Sequence, residues 1–272
     1  MRETNSQPRH MFAICVTGAV LLALWPAFAS HAAEAQGKHH KPAEHSVRVV
    51  ETRRDYVFRY SYPAKAAADP AVRARLQADR DASRTELITL SRDARAAKAR
   101  GEDDMDVLPF RVSTEWVIEA NSPGWLSLSA TTPAYIGGAH GNLSYQYLLW
   151  DKQARRDRPT LSLFTSPEAL ETAVQPALCD ALDVERSIRR DGAKIVRDPK
   201  DWANACVAMH ETLPVLSITK AGGHAFNQIR FLIAPYIAGP YSDGPYEIAV
   251  PVTPAILATV RPEFRSAFVV GR

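Results

Sequence analysis

Cysteine is scarce in this chain, with three in 272 residues. An excess of one charge sign is also missing. Lys and Arg number 33 and Asp and Glu 30, a net charge of +3, which gives no case for a nucleic-acid or acidic-lipid partner. Several motifs are absent: a Gly-x-Ser-x-Gly elbow, a His-Glu-x-x-His pair and a Walker loop. Serine-hydrolase, zinc-protease and nucleotide chemistries therefore lack their usual parts. No solenoid or propeller period recurs. What is present is ordinary: hydrophobic residues are 46% and charged residues 23%, the usage of a folded protein rather than a disordered or fibrous one. The length allows one large domain or two small ones, with enough apolar material for a core that needs no metal and no dense disulfide frame.

The only long apolar run opens the chain. Met11 to Trp25 carries no charge, follows Arg2 and Arg9, and is broken by Pro26. Ala27-Phe28-Ala29 then reads as a small-x-small cleavage site, so residues 1–29 are expected to be an export signal. The rival reading, an uncleaved anchor, is disfavoured because the run falls short of a spanning helix. Removal would leave 31 basic and 29 acidic residues, a net charge of +2. The expected location is periplasmic or secreted. Residues 30–45 form a polar linker with His31, His39, His40 and His45. Clustered imidazoles can bind metal ions, but a solvated tail accounts for this composition without one, and no cofactor is expected.

Cys15 would leave with the signal. Cys179 and Cys206 would remain, and an even count in an oxidising compartment favours a disulfide between them. Their spacing is not Cys-x-x-Cys, which argues for a structural bond over a redox pair.

Along the rest of the chain, Val47 to Tyr62 looks extended, and its period-two alternation over Tyr56 to Tyr62 fits a strand with one wet face, ended by Pro63. Ala64 to Arg100 is helical in composition, broken at Pro70 and stopped at Gly101, with Val72, Leu76, Ser83, Leu87, Leu90, Ala94 and Ala97 near one face. Its many arginines are interleaved with acids, as on a solvated, ion-paired face. Strands are expected over Phe110 to Ala120, Trp125 to Ala130 and Leu143 to Trp150. Ser166 and Pro167 open a helix running to about Arg190, with Leu170, Val174, Leu178, Leu182 and Ile188 inward. A shorter helix is expected over Trp202 to Met209. Strands over Val215 to Thr219, Ala225 to Ile233 and Tyr246 to Val252 and a helix from Pro254 to Val260 complete the chain. The order points to α+β, in two small sub-domains of antiparallel sheet packed against helices, at residues 46–148 and 149–272.

Gly137-Gly138-Ala139-His140-Gly141 is the most unusual segment. Three glycines allow positive φ and close backbone approach, and a histidine fixed there could be a base, a ligand or a hydrogen-bonding strut. Three glycines exceed what a two-residue hairpin needs. The surplus suggests contact with a second segment around Pro235, Tyr236 and Gly239, with His140 buried and bonded across that junction. A hydrolase using His140 and a neighbouring carboxylate is the catalytic alternative. His40 and His45 lie in the linker, and the Asp103–Asp104 pair has no histidine beside it.

Tyr60-Ser61-Tyr62-Pro63, Gly137 to Asn142, Leu161-Ser162-Leu163-Phe164, Phe231 to Gly239 and Tyr246 to Pro251 together resemble the tandem extracytoplasmic domain family found in the anti-sigma factor RsiV and beside the catalytic domain of the peptidoglycan deacetylase PdaC. The resemblance covers about residues 46 to 260. It implies an α+β fold, two sub-domains meeting near the glycine-histidine turn, and an envelope setting in which RsiV-like members bind lysozyme. Neither a sigma-binding region nor a deacetylase domain is recognisable, so neither activity and no catalytic residue is carried over. The expected function is a non-catalytic envelope binding module whose partner is a cell-wall glycan or a protein such as lysozyme. The candidate ligand-binding residues are Gly138, His140, Gly141, Asn142 and Tyr236. The alternatives are a hydrolase using His140 and a metal-handling protein using the linker.

Overall fold

The structure, a computed structural model, describes residues 46–102, 109–220 and 223–271. The expected signal, the His-rich linker and Asp103–Asp104 lie outside the described residues. The element order is β1 (Ser46–Thr52), β2 (Tyr56–Pro63), α1 (Pro70–Ala99), β3 (Phe110–Asn121), β4 (Trp125–Tyr135), β5 (Asn142–Asp151), β6 (Arg156–Asp157), α2 (Pro167–Arg189), β7 (Leu213–Ser217), β8 (Gln228–Ile233), β9 (Tyr246–Pro251) and α3 (Pro254–Thr259). Six strands form one sheet in the order β1-β2-β3-β4-β5-β6, and β7-β8-β9 form a second. The fold is α+β. Two points depart from the sequence expectation. The stretch from Val47 to Tyr62 is a hairpin of two strands, because Arg53, Arg54 and Asp55 turn the chain between them. The first sheet is also not wholly antiparallel: β3 runs parallel to β2, since α1 carries the chain back before β3 begins.

Helix α1 starts where Asp69 Oδ1 accepts from the Ala71 N–H at 2.8 Å and Pro70 occupies the first turn, and Gly101 follows its end at φ 71°. Its buried positions are Val72, Leu76, Leu87 and Ser91. Leu90, expected inward, is exposed, because the buried stripe steps from 87 to 91 by four residues.

The first sheet is a wall shared by two cores. Leu148 and Trp150 of β5 join Trp116, Leu126 and Leu128 in a core with Phe58, Tyr60 and helix α1. Between them in sequence, Leu149 faces the other way, into a core with Trp125, Phe164, α2 and the second sheet. Strand alternation thus splits one strand between two hydrophobic layers.

A β-bulge in β3 falls between Ile118 and Ala120 and turns Glu119 toward the second sheet, as bulges re-aim side chains. The Glu119 carbonyl accepts from the Ile218 N–H at 3.1 Å. Its buried carboxylate accepts from Ser129 Oγ at 2.5 Å and pairs with Arg230, which also pairs with Glu247. Desolvation works against the Arg230 charge, but Glu119 and Glu247 outweigh it and hold its pKa above the ordinary value.

Cys179 on α2 and Cys206 are bonded, with Cα atoms 5.3 Å apart. The segment around Cys206 is not the short helix expected. Asp198 and Asp201 accept from the Lys200 and Ala203 N–H groups at 2.9 and 3.0 Å, and such local side-chain bonds compete with helix formation. Only Met209–Glu211 forms a short 3-10 helix. Chain-entropy reasoning for a loop of this size predicts that the double variant Cys179→Ala/Cys206→Ala loses about 3 kcal/mol in denaturant unfolding. A loss well under about 1 kcal/mol would show that the bond does not constrain the unfolded chain.

Candidate functional site

Residues 136–141 connect β4 to β5, and the three glycines there do different work. Gly137 and Gly138 take φ of 101° and 87°, the left-handed side that L side chains avoid. Gly141 is needed for space: a Cβ there would lie 2.9 Å from the Ala134 carbonyl oxygen. Tyr135 Oη donates to the Gly138 carbonyl at 2.9 Å and ties the turn to its own strand.

The β8–β9 connection, residues 234–245, lies against this turn. The end of α2 holds it with three arginines, Arg186 and Arg189 in the last turn and Arg190 as the C-cap just after it. Arg186, with no exposed surface, donates through Nε and Nη2 to the Ala238 carbonyl at 3.0 and 2.7 Å. Arg189 donates to the Asp243 carbonyl at 2.6 Å and to that of Pro245, and its guanidinium sits 4.0 Å from the Tyr246 ring centre. Arg190 pairs with the Asp243 carboxylate and donates to Asn204 Oδ1 at 2.7 Å. A Cβ on Gly239 would overlap the Asp243 carboxylate and come within 2.9 Å of Arg190 Nη2. Burial and the hydrogen bond to Asp243 push the Tyr246 phenol up to about 12, so it stays a donor to that carboxylate across the physiological range.

His140 bridges the turn and the connection. Its Nδ1 is 2.8 Å from the Gly141 carbonyl. A carbonyl only accepts, so Nδ1 carries the proton and Nε2 of the neutral ring is free to accept. Tyr236 Oη lies 2.9 Å from Nε2 and is the donor that fits. The Tyr241 ring stacks on the imidazole at 3.9 Å between centres, and Tyr241 Oη donates to the Gly141 carbonyl at 2.8 Å. The expected partner segment is therefore the one His140 meets, yet the histidine is exposed rather than buried. Its hydrogen-bonding partners are a carbonyl and a phenol; among the described residues no carboxylate bonds to it. Asn142 is not part of the contact: its Oδ1 accepts from the Leu143 N–H at 2.8 Å.

Tyr236 itself sits at φ 70°, where Gly or Asn is at ease and a bulky aromatic is not. It is 51% exposed, beside Ile237 at 36% on its own connection, while the facing turn exposes Ile136 by 51%. Exposed aromatic and aliphatic groups are therefore carried by both of the segments that meet at the His140–Tyr236 contact. On β5, Tyr145 lies 3.5 Å from Glu247; burial first, and the Glu247 charge second, push its phenol well above the usual range. Sequence reasoning missed Tyr241, Ile136, Ile237 and the three arginines. Tyr241 lies in the stretch rich in Pro, Gly and Tyr between β8 and β9, which carries no periodicity. The arginines carried no signal, since charged residues ending a helix are ordinary. Among the described residues no group of three or more His, Cys, Asp or Glu is arranged to hold a metal ion, and no helix is long and apolar enough to cross a membrane.

Residues 50–143, from within β1 to the start of β5, match the family model described as Deacetylase PdaC, and over this stretch the chain is similar to that family. The match includes the glycine-histidine turn and stops short of Tyr236. No curated protein matches the chain. Among solved structures, a member of the DUF3298 family from Bacteroides fragilis is 15% identical, with 82% of this chain and 95% of that chain covered and a TM-score of 0.48. A DUF3298 family protein from Pseudomonas aeruginosa PAO1 is also 15% identical, with 84% and 97% covered and a TM-score of 0.43.

Proposed function

We propose that this chain, PdaC-like over residues 50–143, is a non-catalytic exported binding module of the cell envelope that takes a protein partner at the His140–Tyr236 junction. The observation that carries the reading is Tyr236, half exposed and held at a positive φ. Such backbone strain persists where the surroundings over-determine it and clusters at functional positions. Three arginines at the end of α2 supply those surroundings. Exposed tyrosine flanked by aliphatic groups is the composition of an interface anchor. The disulfide suits an oxidising compartment. The deacetylase activity in the family's description belongs to that family's own protein and is not proposed for this chain.

One observation favours a cell-wall glycan as the second reading: the stacked His140 and Tyr241 rings carry polar edges, as sugar-binding surfaces need. Retention of the purified chain on immobilised lysozyme and on insoluble peptidoglycan separates the two, with Tyr236→Asn as the comparison. Retention on lysozyme that the substitution abolishes is the expected result. Retention on peptidoglycan alone, abolished likewise, selects the glycan. Retention on lysozyme that the substitution leaves intact removes the junction from the function, as does finding no retention on either that the substitution abolishes.

A further inference from the structure

A second site lies at the opposite end of β4 and β5 from the glycine-histidine turn, where Trp125 pairs with Asp151 across the two strands. An open cleft of about 760 Å³ lies there, between the β3–β4 hairpin, the β5–β6 turn and the C-terminal segment around Phe264. We propose that this cleft binds a neutral oligosaccharide, independently of any partner at the junction.

The charges in the cleft divide into those already occupied and those left over. Asp151 accepts from the Gln153 and Ala154 N–H groups at 3.1 and 2.9 Å and from Arg158 Nε at 2.7 Å. Burial opposes its ionisation, but the Ala154 N–H and Arg158 outweigh it and hold the carboxyl below its usual range. Arg158 also covers the Phe264 ring, 5.0 Å from its centre. This pair builds the wall and has little left to offer a ligand. Arg156 and Glu263 are exposed, and neither has an ion-pair partner among the described residues. The free cation and the free anion balance, which selects against a strongly charged ligand and supplies a planar donor fork and a planar acceptor pair, and His224, also on the lining, adds one more polar ring edge.

Trp125 adds the independent observation. Trp116 and Trp150 are about as buried, and their indole N–H groups donate to Tyr60 Oη at 2.7 Å and to Asp69 Oδ2 at 3.2 Å. Trp125 is 9% exposed and packs against Phe226 and Phe264, yet its N–H has no acceptor among the described residues. A buried indole usually finds one, and this one lines the cleft. The remaining apolar lining is Pro123, Ala154 and Ala267, small groups that offer little apolar area to a large peptide side chain. Vicinal hydroxyls, each both donor and acceptor, match a guanidinium, a carboxylate and an indole N–H set around an open cleft of this volume.

The test is calorimetric titration of the full chain with tetra-N-acetylchitotetraose, cellotetraose and an uncharged tetrapeptide. Arg156→Ala and Glu263→Gln serve as variants, because both side chains are exposed and removable without unfolding. Saturable binding of a tetrasaccharide is expected, weakened by about tenfold in each variant, the loss of one charge-assisted hydrogen bond. It should be unchanged in Tyr236→Asn, which separates this site from the junction. No sugar binding up to about 10 mM, the weak limit for a site of this kind, would overturn the proposal. So would wild-type affinity in both variants, or binding of the tetrapeptide alone.

Discussion

Replacing Arg186 by Ala is expected to lower unfolding stability by about 3 to 5 kcal/mol, the range seen when a buried group loses both packing and hydrogen bonds. The side chain has no exposed surface and spends two donors on the Ala238 carbonyl, with a third contact to Asp183 at 3.3 Å. Truncation would strand that carbonyl and leave a cavity beneath the 234–245 connection. Asp183 would still be paired, since Arg197 bonds its other oxygen. Burial also disfavours the Arg186 charge and draws its pKa down, against the opposing influence of Tyr246 and Asp183. An apolar side chain of similar length escapes that penalty, so Arg186→Met should cost less, about 1 to 3 kcal/mol, mostly the unsatisfied carbonyl. Denaturant midpoints of the two variants check both the magnitude and the order. A loss under about 1 kcal/mol for the alanine variant would mean that water replaces the guanidinium at Ala238 and that the connection is held from elsewhere.

Arg186 also marks where the sequence is legible and where it is not. Leu170, Val174, Leu178 and Leu182 step by four residues and are all fully buried. The next step on that stripe is Arg186, not Ile188, which is 65% exposed. A hydropathy pattern follows apolar residues and so chooses Ile188, whereas helical geometry continues to 186 whatever stands there. The cap residue Ser166 was readable because capping is local chemistry. The parallel pairing of β2 and β3 was not, because it depends on where α1 returns the chain. Glu119 looked like one polar residue in an alternating strand; the bulge that redirects it exists only in the paired sheet. At the candidate site, the three glycines announced a close approach and even its partner segment. They could not tell how exposed His140 would be, which depends on the tilt of a connection fixed by arginines about fifty residues earlier in the chain.

For Tyr236→Asn the expected result is a loss of partner binding without a loss of stability. A non-glycine residue at φ 70° carries a left-handed cost of about 1 to 2 kcal/mol, most of which Asn avoids by bonding its own backbone. Against that gain stand the ring's surface contacts with His140 and Tyr241, 6.0 and 5.4 Å between centres, and one hydrogen bond, Tyr236 Oη to His140 Nε2, between exposed groups. Water competes for both ends, so its net worth is about 0.5 to 1.5 kcal/mol at most. The two contributions nearly cancel, and the unfolding midpoint should stay level or rise slightly. His140 would keep the Gly141 carbonyl and the Tyr241 ring. Tyr236→Phe is the companion variant, since it keeps the ring and the strained backbone and removes only the hydroxyl. If the ring is the anchor, binding survives in Phe and disappears in Asn, while Phe is the less stable of the two. A stability loss above about 2 kcal/mol in Asn would instead show that the tyrosine is a strut between the turn and the connection. The strain would then be the result of folding the junction rather than a feature kept for a partner.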